Sequence, residues 1–295
     1  MQRRGTAEVR VAVAARDTLG EGPSWHPGRR ELVRVDIRAE QVIRWSADTG
    51  QETRTAVGGP VSLAVPDRDG GLVVAGGSTV TRWRADGSRA ELCRIDPDTE
   101  STTLNDGKCD DRGRLWIGTY DRDGGSLATL HVVDVDGSVR VAETGLSASN
   151  GLAWDAESTV LYLVDTPRRV IWRYDYRLDG GELGDREVFA RIGEDAGLPD
   201  GLATDTAGGV WVALFGGGAV HRYDAGGALT HVVPVPVTYP TSVAFGGDDL
   251  RTVFVTTSRT RLTPEQDAAE PLGGSVLAFD VDAPGVPVAS YGSPG

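Results

Sequence analysis

One short polar step recurs along this chain at intervals that few folds can accommodate. It reads Glu21-Gly22, Ser62-Leu63, Asp106-Gly107, Asn150-Gly151, Asp200-Gly201 and Ser242-Val243, with separations of 41, 44, 44, 50 and 42 residues. Each step is followed by the same order of events: an apolar run, a turn, and a second run rich in aromatic residues. A self-similar period of this size marks a solenoid, a propeller or another array, because a single unit cannot bury its apolar surface alone.

The unit is made of strands. ELVRVDI (31–37), GLVVAG (71–76), RLWIGTY (114–120), VLYLVDT (160–166), GVWVAL (209–214) and TVFVTT (252–257) are rich in β-branched and aromatic residues. Turn signals such as HPGRR, DRDGG, DDRGR, DTAGG and GGDD punctuate them. Partner strands follow at 42–45, 80–83, 129–134, 170–175, 219–224 and 275–280. No amphipathic stretch of helical period exceeds two turns. Residues 263–270, TPEQDAAE, form the best short helix candidate and read as a loop insertion. Glycine, at 40 of 295 residues, is about twice its usual level, which fits many tight turns. Six units of about four strands predict an all-β chain folded as a six-bladed β-propeller. Residues 1–295 read as one domain. A strand at about 8–15 closes the ring against about 275–282, and residues 283–295 form a loose tail. A pair of β-sandwiches is the runner-up architecture, disfavoured by the regular period.

Charge and composition narrow the partners. A net charge of −13 argues against nucleic acid, which demands a basic footprint, and against an anionic membrane surface. No apolar run approaches the roughly 18 residues of a membrane span. The opening MQRRGTAEVRVAVAARD lacks a signal-peptide apolar stretch. A cytoplasmic protein is therefore expected. Cys93 and Cys109 make neither a disulfide framework nor a zinc motif.

In a propeller the innermost strands converge on a central channel, so equivalent positions form a ring. Here the ring would hold Glu21, Ser62, Asp106 with Asn105 beside it, Asn150, Asp200 and Ser242. All are oxygen-bearing side chains, the donor set of a hard cation such as Ca²⁺, Mg²⁺ or Mn²⁺. Asn-Gly and Asp-Gly are also ordinary turn dipeptides, but four acidic or amide steps in one register of one repeat argue for a site.

These residues carry a resemblance. LGEGPSWHP (19–27), LNDGKCDDRGRLWIGTYD (104–121), SNGLAWD (149–155), LVDTPRRVIWRYDY (163–176), GLPDGLATDTAGGVWVAL (197–214) and PTSVAFGGDDLRTVFVTT (240–257) resemble the SMP-30/gluconolactonase/regucalcin-like family from about residue 18 to 281. The resemblance implies a six-bladed propeller with one divalent cation in its central channel, acting mainly on sugar lactones. It places metal ligands on Glu21, Asn150 and Asp200, and a substrate-contacting asparagine on Asn105. Asp106 falls on a position linked to a second, weaker cation. Two positions depart from the pattern. Family members acting on sugar acids commonly carry an arginine where this chain has Thr103, and their acidic substrate contact falls on Asp123, in a segment that begins at Asp121. Oxygen ligands favour calcium, while the resemblance also admits zinc, manganese, magnesium or iron.

The expected chemistry is opening of a lactone, a sugar lactone or related small cyclic ester, to the hydroxy acid by metal-activated water. Asp200 is then the general base, by resemblance, and Asn105 the donor to the developing oxyanion. The same site could instead serve a phosphotriesterase-like or specialised-metabolite enzyme, an option that Thr103 keeps open. A non-catalytic cation-binding propeller is the third reading. No Gly-x-Ser-x-Gly elbow supports a serine hydrolase. The four histidines read as turn or strand residues, with His26 the one near Glu21. Lys108 is either a cation backing the site or a turn residue paired with Asp110 or Asp111. Cys109 reads as a packed thiol, and the tryptophans as inter-blade packing. The rim loops 84–104, 121–129 and 258–274, which would choose the substrate, carry no readable code.

Overall fold

Six four-stranded antiparallel sheets make up the protein in a computed structural model that describes residues 7–95 and 101–292. Residues 96–100 of the predicted rim loop 84–104 and residues 293–295 of the predicted tail lie outside the described residues. Blade 1 runs from Gly20–His26 through Glu31–Asp36 and Gln41–Ser46 to Glu52–Ala56. Blades 2 to 5 repeat that order from inner strands Leu63–Pro66, Thr102–Cys109, Ser149–Trp154 and Leu198–Thr204. Blade 6 takes three strands from the end of the chain, Pro240–Gly246, Thr252–Thr257 and Val276–Asp280. Its outermost strand, Arg10–Val13, comes from the beginning, with Arg10 opposite Ala278. Together these sheets form a six-bladed β-propeller, with each inner strand packed between its two neighbours around the axis.

Two devices hold the blades. Aromatic rings cross the junctions: Trp25 stacks on Phe254 at 5.7 Å, Trp116 meets Trp154 edge-on at 5.9 Å, and Trp211 contacts Phe279 at 5.7 Å. Such pairs add to the burial of their apolar area. The second device is a buried aspartate at the turn after an inner strand. Asp205 accepts from the backbone N–H groups of Ala207 and Gly209 with one oxygen, and from Trp211 Nε1 and Arg222 Nε with the other. Asp110 does the same for Arg112, Arg114 and Trp116. Much of the acidic excess is therefore turn chemistry.

The short helix Pro264–Ala269 forms inside the blade 6 insertion, capped reciprocally by Thr263 and Gln266. The described part of the segment expected to be a loose tail is held at Val286 and at Tyr291. Val286 N–H donates to Thr204 O in blade 5, Tyr291 N–H to Pro66 O in blade 2, and Tyr291 Oη to Asp134 O in blade 3. Tyr291 is buried in the core shared by blades 2 and 3. Its aromatic side chain supplies the anchoring energy that a Gly/Pro-rich composition conceals.

Candidate functional site

The inner strands do not run straight past the channel. In five of the six blades the pairing between the inner strand and its neighbour slips by a bulge. The slips fall between Glu21 and Ser24, Leu104 and Gly107, Ser149 and Leu152, Pro199 and Leu202, and Pro240 and Ser242. Four of these intervals start at or contain the predicted residues Glu21, Asn105, Asp106, Asn150 and Asp200. A bulge leaves a residue out of the ladder and re-aims its side chain. At Gly151 and Gly201 the glycine of the step is a spatial requirement. A Cβ on Gly201 would sit 1.9 Å from Ser242 Oγ in blade 6, and one on Gly151 2.3 Å from the Leu202 nitrogen in blade 5. The repeated Asp-Gly and Asn-Gly steps thus record both a bulge and a close approach of neighbouring blades.

The side chains meet across blades. Asn105 Nδ2 donates to Ser149 O of blade 4 at 3.0 Å. Asn150 Nδ2 donates to Thr166 Oγ1 at 3.0 Å, and that hydroxyl donates to Pro199 O at 2.8 Å, one residue from Asp200. Asn150 also neighbours Asp200 and favours its charged form. Burial, and then the charges of Asp200 and Asp106, push the Glu21 carboxyl well above the usual carboxylate range. Burial, and then Asp106, push Asp200 up as well, while Asn150 opposes the shift. Asp106 is raised by burial and held back by Lys108. Lys108, pushed down to about 8 by burial, donates from Nζ to Leu202 O at 2.9 Å, reaching from blade 3 to blade 5. It partners neither Asp110, which is committed to Arg114 and Trp116, nor Asp111, which meets Ser158.

This donor set fits a hard divalent cation. Two carboxylates and an amide face one another across the blades. The three carboxyls Glu21, Asp106 and Asp200, the last buried and the others half-buried, have one ammonium among them, a charge balance that a cation would complete. Among the described residues, no three His, Cys, Asp or Glu side chains gather as a metal-binding cluster. The predicted ligand set needs only two such groups, since its third member is Asn150.

The other predicted residues separate by location. Thr103 is half-buried and paired with Tyr120 in blade 3, at the end of the channel where the inner strands begin. Asp123 is exposed in the turn beyond Leu115–Asp121, whereas Asp121 is buried and accepts from the backbone of Asp123 and Leu127. Ser62 donates to Ala75 O, and Ser242 accepts from Thr256 Oγ1 through its carbonyl, so both act in their own blades. His26 lies five residues beyond Glu21 on one strand, about 16 Å along it. It belongs to the other end of the channel. There a cavity is lined by Pro23, Asp106, Lys108, Leu202, Ser242 and Pro287, and none of Glu21, Asn150 or Asp200 lines it. Sequence reasoning missed Thr166, which orients Asn150, and the Phe215–Tyr239 pair at 4.7 Å beside the start of the blade 5 inner strand. Both depend on which turns meet across a junction, and no local pattern reports that.

With this geometry in place, the comparisons decide the family. The model for the SMP-30/Gluconolactonase/LRE-like region matches residues 19–259. The chain belongs to that family. It is 37% identical over 242 residues to a pentonolactonase of Haloferax volcanii, covering 81% of each chain. It is 34% identical to a 6-deoxy-6-sulfogluconolactonase of Pseudomonas putida, covering 94% of this chain and 96% of the other. The crystal structure of a calcium-binding protein, regucalcin, from Agrobacterium tumefaciens superposes with a TM-score of 0.91 at 26% identity, covering 97% of both chains. No helix among the described residues is long and apolar enough to cross a membrane.

Proposed function

We propose that this chain is a divalent-cation-dependent lactonase that opens a sugar lactone or a related small cyclic ester to its hydroxy acid. The observation that carries the proposal is the trio of buried Asp200 and half-buried Glu21 and Asn150, two carboxylates and an amide with too little positive charge around them. The lactonases among its relatives, alike over most of the chain, supply the substrate class.

Glu21, Asn150 and Asp200 would hold the cation, calcium by donor chemistry. Bound there, it supplies Lewis acidity, drawing electron density from a lactone carbonyl and making water a better acid. Asp200 takes the proton from the attacking water. Asn105 spends one amide N–H on Ser149 O and keeps the other for the oxygen on which negative charge develops. The new C–O bond forms at the carbonyl carbon, the ring C–O bond breaks, and the departing ring oxygen takes up a proton. Thr103 and Asp123, on the rim of blade 3, would meet the substrate's hydroxyls.

The test is a pH-stat assay of aldonolactones, simple acyl lactones and a phosphotriester. Protein is assayed as purified, after chelation, and after add-back of Ca²⁺, Mg²⁺, Mn²⁺ or Zn²⁺. Lactone opening should vanish on chelation and return with metal. Full turnover by metal-stripped protein would refute the proposal.

A further inference from the structure

We propose that Arg168 is the substrate-recognising guanidinium of this site and selects lactones that are densely hydroxylated or carry an anionic group. The inference rests on the lactonase reading and deepens it. Thr103 stands where the family resemblance places an arginine, so the inner strand of blade 3 offers no fork of N–H donors there. Arg168 approaches the same junction from the other side. It sits in the turn after Val160–Asp165 of blade 4, two residues beyond Thr166, whose hydroxyl accepts from Asn150. Its Nη2 donates to Ser126 Oγ at 2.8 Å, in the blade 3 loop that also holds Asp123. Its Nη1 lies 3.4 Å from Asp165, a fully buried carboxylate already accepting from the backbone of Ser147 and Ala148.

The junction is continuous. Tyr120 pairs with Thr103 on one side and bridges to Ala148 on the other. Asp165 pairs with Ser149 next to Asn150. Arg168 is thus tied through its guanidinium to blades 3 and 4, the two blades of this junction. Five N–H donors on a rigid plane exceed what Ser126 and Asp165 use, and its side chain is 32% exposed. A fork anchored on one edge and open on the other suits adjacent hydroxyls or a carboxylate-, phosphate- or sulfonate-like group.

The test measures cation-loaded wild type, Arg168→Ala, Arg168→Lys and Arg168→Ala/Thr103→Arg on glucono-1,5-lactone and on unsubstituted γ-butyrolactone. Calorimetric binding of gluconate is measured alongside. Arg168→Ala should lose about 10- to 100-fold in kcat/KM on the sugar lactone, mostly through KM. That loss should exceed the loss on butyrolactone at least about tenfold, and gluconate binding should weaken in step. Lysine should rescue only part, and Thr103→Arg should restore selectivity. An equal loss on both lactones, or unchanged gluconate binding, overturns the assignment. Wild type that opens neither lactone refutes the lactonase reading instead, and the gluconate titration still decides the role of Arg168.

Discussion

Glu21 and Asp200 stand where a carboxylate is least stable as an anion: poorly solvated, close to each other and to Asp106, with Lys108 the one ammonium nearby. A site shaped for a cation is a strained one without it. Glu21→Gln removes one of the repelling charges and should raise the melting temperature of the metal-free protein by about 2 °C or more, while divalent-cation affinity falls. Scanning calorimetry of chelated protein checks this, and an unchanged or lower melting temperature would contradict it. Such a trade of stability for function is common at binding sites. At this scale the sequence was legible where a residue's role follows from its place in the repeat. Glu21, Asn105, Asp106, Asn150 and Asp200 each fall at one register, and the structure brings them to the inner-strand bulges. His26 shows the limit, since five residues of extended chain carry it to the other end of the channel. Thr166 and Arg168 were invisible because their partners lie in other strands and blades.

At the scale of one blade, the strand–turn–strand unit depends on its turn aspartate. Asp205 gathers two backbone N–H groups, the Trp211 indole and Arg222. Arg222, Trp211 and the backbone bonds outweigh burial and hold its carboxyl below the usual range. A depressed folded pKa contributes stability that is present above the unfolded value of about 4 and is lost as pH falls through the lower folded value. Asp205→Asn should therefore cost about 3 kcal/mol in urea unfolding at neutral pH, by leaving Arg222 without its partner. It should also flatten the decline of stability below about pH 4. An acid limb as steep as wild type would show that the stabilisation lies elsewhere. The two middle strands of each blade were readable to within two residues, because apolar runs such as TVFVTT lie between Gly/Asp turns, whereas the inner strands showed only as the polar steps. Outer strands such as Glu182–Arg191 are mostly exposed and polar, so no alternation marks them. The bulges leave no local signature beyond the glycine that follows.

The whole molecule makes the site. Glu21, Asn150 and Asp200 come from blades 1, 4 and 5, and they meet because Arg10–Val13 closes the ring on Val276–Asp280. The C-terminal segment then ties blade 5 to blades 2 and 3 through Val286 and Tyr291. The period of the repeat made the ring legible before any contact was known. The closing segment was not, because one buried tyrosine is a weak signal among glycine and proline. The central claim is that one ring of oxygens both holds the cation and opens the lactone. It is tested most directly by measuring, on the same folded preparations of wild type, Asp200→Ala and Asn150→Ala, calcium affinity by calorimetry and lactone turnover by pH-stat. The account predicts that both are lost together, turnover by at least about a hundredfold. A variant that no longer binds a divalent cation yet turns over lactone at the wild-type rate would contradict it.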